Sequence, residues 1–353
     1  MNLRQAALWA GEQLFRAGVA CRAALYRTRL LPVRRLGRPV ISVGNLTVGG
    51  TGKTPLVIYL CRLLAELGWE PAILSRGYGG TAERSTVLVS DGYPPAADWR
   101  VSGDEPRMLA ESLPGVPVVA GADRVASARL LEQRLPADRR TFVLDDGFQH
   151  RRLARTVDLV VWDATVPLDG LRLLPAGPLR EPLRALRRAD AILLTRCHQT
   201  GNRLPELLDR LQSEAPGIPL YPFQTILSEY RDLSDGAVRP LRELTGQKAV
   251  ALAAVGNPRQ FLFDLGRSGL RILNEFIFPD HHPFRQEEIK LIVERSRRLG
   301  ADFLVTTEKD AVRLAQLDLQ GFPCQVLRIR FESSREEEFR RWLIQRLPAL
   351  EGK

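Results

Sequence analysis

The stretch VGNLTVGGTGKTP, Val43–Pro55, decides the fold class of this chain. It follows the β-branched run Val40–Val43 and precedes the helical pattern Pro55–Leu67, so it is expected to join a strand to a helix. Its glycines allow a close approach of the backbone to phosphate groups. Successive N–H groups, together with the N-terminus of the next helix, form a cradle for anions. The stretch therefore predicts a phosphate-binding loop of the P-loop type.

Two side chains of this loop carry the expected chemistry. Lys53 is placed to reach the β- and γ-phosphates of a nucleoside triphosphate, and the Thr54 hydroxyl is placed to ligate Mg²⁺. The general pattern has glycine five positions before Gly52, where this chain has Thr47. We expect the nucleotide to be bound by Thr47, Val48, Gly49, Gly50, Thr51, Gly52, Lys53 and Thr54.

Outward from the loop, short β-branched runs alternate with helical patterns through most of the 353 residues. This alternation predicts a mostly parallel sheet with helices on both faces, and the length predicts two domains. The stretch 220–239 breaks the alternation and is predicted to be a linker or hinge. We expect a helix and basic linker at 1–38, a P-loop domain at 39–219 and a smaller α/β domain at 240–353.

The charge is unevenly distributed along the chain. Lys and Arg number 51 against 41 Asp and Glu, a net charge of +10, and no acidic residue lies between Glu12 and Glu66. Such an excess indicates an anionic partner, which can be nucleic acid, a membrane or phosphate groups. The four cysteines are scattered without a CxxC pair, which favours neither zinc nor a disulfide framework and indicates a reducing, cytoplasmic compartment.

Residues 2–31 have the apolar spacing of one amphipathic helix. No uncharged apolar run approaches the ~18 residues that a membrane span requires. Two interpretations stay open from the residues alone. The helix packs on the core of its own domain, or it lies at a membrane surface with its arginines against anionic headgroups.

A predicted strand at Thr141–Leu144 ends in the adjacent acids Asp145 and Asp146. An apolar strand that ends in an acid has the form of a Walker B segment, whose carboxylate holds Mg²⁺ directly or through water. The alternative is a strand end followed by an Asp-Gly turn. The sequence does not decide which of the two acids faces the metal.

Several other polar residues follow predicted strands or begin predicted helices, where either a structural or a functional role is possible. Asp104 can be a helix N-cap, and Thr307 can cap the helix that follows Thr306. The remaining candidates are Arg76 and Tyr78 in a second glycine-rich loop, Arg124, Gln149, His150, Arg180, Glu181 and the pair His281–His282.

Taken together, these segments resemble the tetraacyldisaccharide 4'-kinase family, which phosphorylates a lipid A precursor. The matching segments are VGNLTVGGTGKTP, SRGYGG (Ser75–Gly80), GDEP (Gly103–Pro106), LDDGFQH (Leu144–His150), LPAGPLRE (Leu174–Glu181), FPDHHPF (Phe278–Phe284) and TTEKDAVRL (Thr306–Leu314). They occur in the family's order and span nearly the whole chain. Thr47, which departs from the general P-loop pattern, fits the family's form of the loop.

The resemblance implies two α/β/α sandwich domains joined by a β-linker. It also implies transfer of the γ-phosphoryl group of ATP, with Mg²⁺, to the 4'-hydroxyl of a tetraacylated glucosamine disaccharide 1-phosphate, forming lipid IV(A). The implied enzyme is peripheral, on the cytoplasmic face of the inner membrane with its anionic lipid, and needs neither nucleic acid nor an obligate protein partner.

The resemblance also implies roles for individual residues. Asp104 would be the catalytic base, assisted across the cleft by His281, with Lys53 on the phosphates. The metal would be served by Thr54, Asp145, Asp146 and Glu181, and the substrate by Arg76, Tyr78, Arg124, Gln149, His150 and Arg180.

Two other classes of function share some of these features. A P-loop GTPase or metallochaperone-type NTPase would share the Gly-Lys-Thr loop, and Thr307–Asp310 distantly resembles a guanine-reading motif. A basic nucleic-acid-binding module is disfavoured, because aromatic residues are only 7% and no RNA-recognition or zinc-finger pattern occurs.

Overall fold

The computed structural model describes residues 3–81, 85–94 and 97–349. Strands and helices alternate along the chain, which confirms the predicted α/β class. The helices are α1 Leu3–Arg27, α2 Lys53–Glu66, α3 Trp99–Ser102, α4 Asp104–Ser112, α5 Arg124–Arg134, α6 Leu204–Glu214, α7 Pro258–Gly266, α8 Gln286–Arg298, α9 Glu308–Leu314 and α10 Glu336–Ile344.

Eight strands form the first sheet: β1 Val40–Asn45, β2 Glu70–Ser75, β3 Val87–Ser90, β4 Val118–Ala120, β5 Arg140–Asp145, β6 Val157–Asp163, β7 Ala191–Thr195 and β8 Leu220–Pro222. Their spatial order is β3-β4-β2-β5-β1-β6-β7-β8, and every neighbouring pair is parallel except β3 with β4. The central strands β1, β5 and β6 are buried along their whole length. Burial on both faces explains why these strands are continuous apolar runs in the sequence.

The second sheet has six strands: β9 Gln224–Asp232, β10 Val238–Pro240, β11 Lys248–Ala253, β12 Arg271–Ile277, β13 Phe303–Thr307 and β14 Cys324–Glu332. Their spatial order is β10-β9-β14-β13-β11-β12. The strands β14, β13, β11 and β12 are parallel to one another, whereas β9 runs antiparallel to β14 and β10 antiparallel to β9.

The stretch 220–239, predicted to be a linker, is divided between the two sheets. Strand β8 forms the edge of the first sheet, and β9 pairs with β14 in the second, so the chain crosses between the sheets at Phe223. The first domain is the one built on the first sheet, and the second domain is the one built on the second sheet. The last helix, α10, follows the second sheet in sequence but packs on the first domain. There Phe339 and Trp342 join a core with Tyr221 and Phe223. The carboxyl-terminal helix thus ties the second domain back to the first.

The first domain places its loops for a ligand. The carboxyl ends of β1, β2, β4 and β5 meet at one edge of the sheet, because these strands are parallel. In open α/β sheets this edge is where ligands bind. The phosphate loop after β1, the Ser75–Gly80 loop after β2 and the paired acids at the end of β5 therefore converge there.

Helix α1 ends at Arg27, earlier than the predicted 31, and residue 2 of the predicted helix lies outside the described residues. Part of the helix packs on the first domain through Phe15. Other apolar residues of the predicted helix form an outward stripe, with Leu14 76% and Trp9 52% exposed. Among the helices of the described residues, none is long and apolar enough to cross a membrane.

Candidate active site

The phosphate loop is held from within by Asn45, the last residue of β1. Its amide nitrogen donates to the carbonyl oxygen of Thr47 at 2.7 Å and to the Thr51 hydroxyl at 3.0 Å. Its amide oxygen accepts from Lys53 Nζ at 3.1 Å. Gly52 has a φ of 82°, which only glycine adopts readily, and α2 begins immediately after it. Asn45 therefore links the loop backbone to the cation that is expected to meet the phosphates.

A second set of contacts holds the loop from the end of β7, two strands away from β1 in the sheet. Arg196 donates to the carbonyl oxygen of Gly50 at 3.0 Å and forms an ion pair with the buried carboxylate of Asp163. The Thr195 hydroxyl donates to the carbonyl oxygen of Thr51 at 3.0 Å. These contacts engage carbonyl oxygens of Gly50 and Thr51 and do not use the N–H groups with which such a loop binds an anion.

The two adjacent acids at the end of β5 have different surroundings. The Nη1 group of Arg180 donates to Oδ1 and Oδ2 of Asp146, at 3.0 and 2.8 Å. The Oδ1 atom of Asp146 also lies 3.4 Å from Lys53 Nζ. Burial would raise the pKa of Asp146, but the charges of Lys53 and Arg180 outweigh it and hold that pKa below its usual range. Asp146 is thus an ionised partner of the phosphate-loop lysine.

Asp145 is 3% exposed and accepts from the Ser75 hydroxyl at 3.0 Å. Burial, together with the negative charges of Glu105 and Asp146, raises the pKa of Asp145 well above its usual range. A cation beside this carboxylate would reverse that balance. Of the two acids, Asp145 is therefore the one whose charge the protein leaves least compensated.

The Asp104 carboxylate, predicted to be the base, lies at the start of α4 and is 3% exposed. Its Oδ2 atom lies 2.9 Å from Nδ1 of His281, which follows β12 in the second domain, and 3.4 Å from Nη1 of Arg313. Burial would raise the pKa of Asp104, but the His281 hydrogen bond and the charges of Lys309 and Arg313 hold it below the usual range. The carboxylate is ionised at neutral pH and can accept a proton.

The network continues from His281 into helix α9. Lys309 Nζ lies 3.1 Å from His281 Nε2, 3.1 Å from Asp280 Oδ1 and 3.3 Å from Glu105 Oε1. The lysine thus joins both domains to the histidine. Asp104, His281 and Lys309 form one hydrogen-bonded chain across the interface.

Sequence reasoning singled out neither Lys309 nor Arg313 as a functional residue. The prediction that Thr307 caps a helix is confirmed, because the Thr307 hydroxyl accepts from the Asp310 N–H at the start of α9. Capping fixes the start of the helix and directs Lys309 toward His281. The signal available in the sequence was the rarity of lysine, since Lys309 is one of only five lysines in the chain.

The glycine-rich loop Ser75–Gly80 packs directly on the turn that begins α4. A Cβ atom on Gly103 would lie 2.6 Å from the carbonyl oxygen of Tyr78, and one on Gly80 would lie 2.4 Å from the Gly103 backbone nitrogen. The Tyr78 ring is 60% exposed, with its centroid 5.8 Å from that of His281. Close backbone contact therefore holds Tyr78 at the mouth of the cleft beside the Asp104–His281 pair.

The predicted substrate residues lie around the acids at the same edge of the sheet. Arg124 is 3% exposed, donates to the Gly121 carbonyl oxygen at 2.7 Å and interacts electrostatically with Arg76 and both acids. The Gln149 amide donates to the Asn45 carbonyl oxygen at 2.9 Å. Burial and the charge of Arg124 lower the pKa of His150 to about 4, so this histidine is neutral at pH 7.

Glu181, which the resemblance implies to be a metal residue, is paired with an arginine. Its carboxylate forms a two-bond ion pair with Arg188, at 2.6 and 3.2 Å. The Arg188 guanidinium in turn lies over the Phe148 ring, 4.3 Å from its centroid. Within the described part of the chain, no group of three acids, histidines or cysteines is arranged to hold a metal ion.

Three residues of this region have left-handed backbone, although none is glycine. The φ angles are 52° at Asp146, 59° at Arg196 and 61° at His281. This conformation costs an L-residue about 1 kcal/mol and persists where the surrounding structure requires it. The three strained residues contact the phosphate loop or the Asp104 carboxylate, which places the strain at the site.

Comparison with known proteins agrees with this geometry. The family model described as Tetraacyldisaccharide-1-P 4'-kinase matches residues 4–348. The chain belongs to this family. It is 43% identical over 296 residues to the tetraacyldisaccharide 4'-kinase of Pelobacter propionicus, covering 84% of this chain and 79% of that one. With the enzyme of Syntrophus aciditrophicus it shares 38% identity over 332 residues, 92% of this chain and 88% of the other.

A solved structure of a tetraacyldisaccharide 4'-kinase also resembles the chain. It is the crystal structure of LpxK from Aquifex aeolicus in complex with ATP, with a TM-score of 0.79 and 31% identity over 98% of this chain and all of that one. The fold of the tetraacyldisaccharide 4'-kinase family thus extends over both domains of this chain.

Proposed function

We propose that this chain transfers the γ-phosphoryl group of ATP to the 4'-hydroxyl of a tetraacylated glucosamine disaccharide 1-phosphate, forming lipid IV(A). One observation carries the proposal beyond family membership. An ionised, buried carboxylate, Asp104, is hydrogen-bonded across the domain interface to His281. The cleft therefore combines a phosphate loop with a proton acceptor, the two requirements of a kinase that acts on a hydroxyl.

The phosphate loop would hold the triphosphate by its N–H groups and by the N-terminus of α2. The Lys53 amine lies within 3.4 Å of both Asn45 and Asp146. When the nucleotide binds, the amine would move from these partners toward the β- and γ-phosphates. Arg180 would keep Asp146 neutralised and add positive charge beside the transferred group. Charge neutralisation and positioning supply most of the catalysis in phosphoryl transfer.

The residues present fit Mg²⁺ with ligands from a bound nucleotide. Thr54 lies in the first turn of helix α2 at the phosphate loop, and the carboxylate of Asp145 lies at the end of β5 on the same edge of the sheet. Mg²⁺ is commonly held by one or two protein oxygens plus phosphates and water, so a three-acid cluster is not required. We propose Thr54 and Asp145 as its protein ligands, with Asp146 assisting and Glu181 engaged by Arg188. When bound, Mg²⁺ neutralises charge on the phosphate oxygens.

Asp104 would accept the hydrogen bond and then the proton of the 4'-hydroxyl. His281 orients this carboxylate through Nδ1, and Lys309 fixes the ring from the other nitrogen. Asp104 and His281 belong to different domains and are in contact, so movement about the 220–239 segment would open the cleft to the substrate and close it again to exclude water. Exclusion of water limits wasteful hydrolysis of ATP.

We propose that the chain works as a peripheral protein on the cytoplasmic face of the inner membrane. The outward stripe of α1 presents Trp9 and Leu14, and the same region has no acidic residue from position 13 to 65. An exposed apolar stripe beside arginines is suited to the interface of an anionic bilayer. The acylated substrate would reach the cleft from that surface.

The decisive experiment supplies the purified full chain with γ-labelled ATP, Mg²⁺ and the disaccharide 1-phosphate lipid in mixed micelles. We expect a lipid product labelled at the 4'-phosphate, and no label with Lys53→Met. A wild-type chain that forms no labelled lipid would refute the proposal. Competition by unlabelled ATP but not by GTP would separate the kinase from a P-loop GTPase.

A further inference from the structure

Glu12 is the one acidic residue of helix α1, and it is 2% exposed. Most of the helix around it is solvent-exposed, including Leu14 and Arg16. A buried carboxylate is costly unless it is paired and hydrogen-bonded. The position of Glu12 therefore needs a reason beyond solubility.

Both oxygens of the Glu12 carboxylate are engaged by the loop that precedes Arg180. Oε2 accepts from Arg172 Nε at 2.8 Å and lies 2.5 Å from Nη2 of the same arginine. Oε1 accepts from the backbone N–H of Leu173 at 3.3 Å and from Arg16 at 2.9 Å. Gly11 brings the helix close enough that a Cβ atom there would lie 3.0 Å from Pro175. The helix is thus pinned to this loop at one point.

The same loop is bonded to the phosphate loop and the paired acids. The Leu179 N–H donates to the Arg172 carbonyl oxygen at 3.0 Å, which closes the loop on itself. The Val48 N–H donates to the Pro178 carbonyl oxygen at 2.8 Å. Arg180 completes the path, with its side chain on Asp146. A continuous series of contacts therefore runs from Glu12 to the acid beside Lys53.

We propose that Glu12 is a positioning residue for phosphoryl transfer. Its carboxylate fixes the 172–180 loop, and through that loop it sets Arg180 on Asp146 and the backbone of the phosphate loop. The helix that meets the lipid is by this contact also part of the support of the ATP site. This inference rests on the proposed kinase activity for its turnover readout but not for its binding readout.

The test compares Glu12→Gln and Arg172→Gln with Glu294→Gln, a control that removes a glutamate paired with an arginine one helical turn away on the exposed face of α8. Arg172 is 45% exposed and Glu12 is 2% exposed, so Arg172→Gln breaks the same ion pair with less risk to folding. We expect a fall in kcat of about ten-fold for both test variants, because a misplacement of about 1 Å can cost up to ~100-fold. The affinity for ATP, measured without lipid by calorimetry on folded protein, should also fall several-fold, and Glu294→Gln should match the wild type.

A double-mutant cycle with Arg180→Gln distinguishes positioning from a merely structural role. If Glu12 acts through Arg180, the double variant has a kcat close to that of Arg180→Gln alone. Multiplicative losses in kcat would overturn the proposal. So would a Glu12→Gln protein that loses vesicle binding or thermal stability while its ATP affinity stays unchanged. Unchanged ATP affinity refutes the positioning role even if the chain proves not to be a kinase, whereas a missing lipid product with weakened ATP binding refutes only the proposed function.

Discussion

The Nδ1 atom of His281 lies 2.9 Å from the Oδ2 atom of Asp104, although the two residues are 177 positions apart in the chain. Asp104 begins a helix of the first domain, and His281 follows a strand of the second. Two cations of α9 contact this pair, Arg313 at the Asp104 carboxylate and Lys309 at the His281 ring. The surroundings of the Asp104 carboxylate are therefore defined by the interface between the domains rather than by either domain alone.

Replacing Asp104 by Asn should remove the proton acceptor with little change in shape. We expect kcat to fall by about 10² to 10⁴-fold, the usual contribution of a general base, while ATP affinity changes little. Steady-state kinetics with labelled ATP measures kcat, and calorimetry measures the affinity for ATP. Asp158→Asn is the matched control, because Asp158 is also buried but lies at the start of β6, away from the loop end of the sheet. Near-normal turnover by Asp104→Asn would exclude it as the base.

The stability of the domain interface should depend on pH through His281. The Asp104 hydrogen bond raises the pKa of His281 above its usual value of about 6.5, against the opposing effect of burial. The folded protein then holds this proton more tightly than the unfolded chain does. This contribution is complete below about pH 6.5 and is lost as the pH rises through the raised value.

The difference in Tm between wild type and His281→Gln should therefore be largest near pH 6 and shrink toward pH 9. Scanning calorimetry of both proteins across this range measures it. A difference in Tm that stays constant with pH would show that the imidazole does not titrate against Asp104.

Lys309 should support catalysis without binding the nucleotide strongly. It is 15% exposed and contacts Glu105, Asp280 and the His281 ring, so Lys309→Met removes the cation from both acids and the contact on the Nε2 side of the ring. We expect kcat to fall about ten-fold or more, as other losses of orientation do. Lys290→Met, on the exposed surface of α8, is the control and should behave as wild type. Equal activity of the two variants would show that Lys309 is only a surface cation.

Local patterns were enough to predict most of the first domain. The strand, glycine loop and helix around Lys53 are adjacent in sequence, and so are β5 and its terminal acids. The helix predicted at Pro55–Leu67 is present as α2, Lys53–Glu66. Such elements depend on the spacing of apolar residues and on helix-capping and turn residues, all of which are visible in one sequence.

The parts that sequence reasoning missed depend on distant pairings. Strand β9 is a stretch of mixed polarity, and its antiparallel pairing with β14, about 100 residues later, joins it to the rest of the second sheet. Helix α10 has the pattern of any amphipathic helix, so nothing local indicates that it packs against Tyr221. Asn45 and Lys309 were missed for the same reason, since each gains its role from a partner brought in by folding.

The turn before Asp104 should tolerate no side chain. Gly103 has a φ of 87°, and a Cβ atom there would lie 2.6 Å from the Tyr78 carbonyl oxygen. Gly103→Ala should cost roughly 2–4 kcal/mol, from backbone strain together with overpacking, and lower the Tm by several degrees. Gly266→Ala is the matched control, because nothing lies within 4 Å of a Cβ at that helical glycine, so its Tm should be unchanged or slightly higher. Thermal unfolding of the two variants measures this difference. If Gly103→Ala proved as stable as Gly266→Ala, the turn would tolerate a side chain and the prediction would be wrong.

The outward stripe of α1 should determine binding to lipid bilayers. Leu14 is 76% exposed, and insertion of a leucine into the apolar region is worth roughly 1.5–3 kcal/mol, so Leu14→Gln should weaken vesicle binding about ten-fold or more. Co-sedimentation with vesicles of phosphatidylglycerol measures the binding, and it should be stronger than with neutral phosphatidylcholine and fall with added salt. Leu291→Gln, on the exposed face of α8 with 66% exposure, is the matched control and should bind as the wild type does. If the two variants bind equally well, the arginines rather than the apolar stripe hold the chain at the bilayer, whereas binding that ignores both lipid charge and salt would reject the arginine contribution.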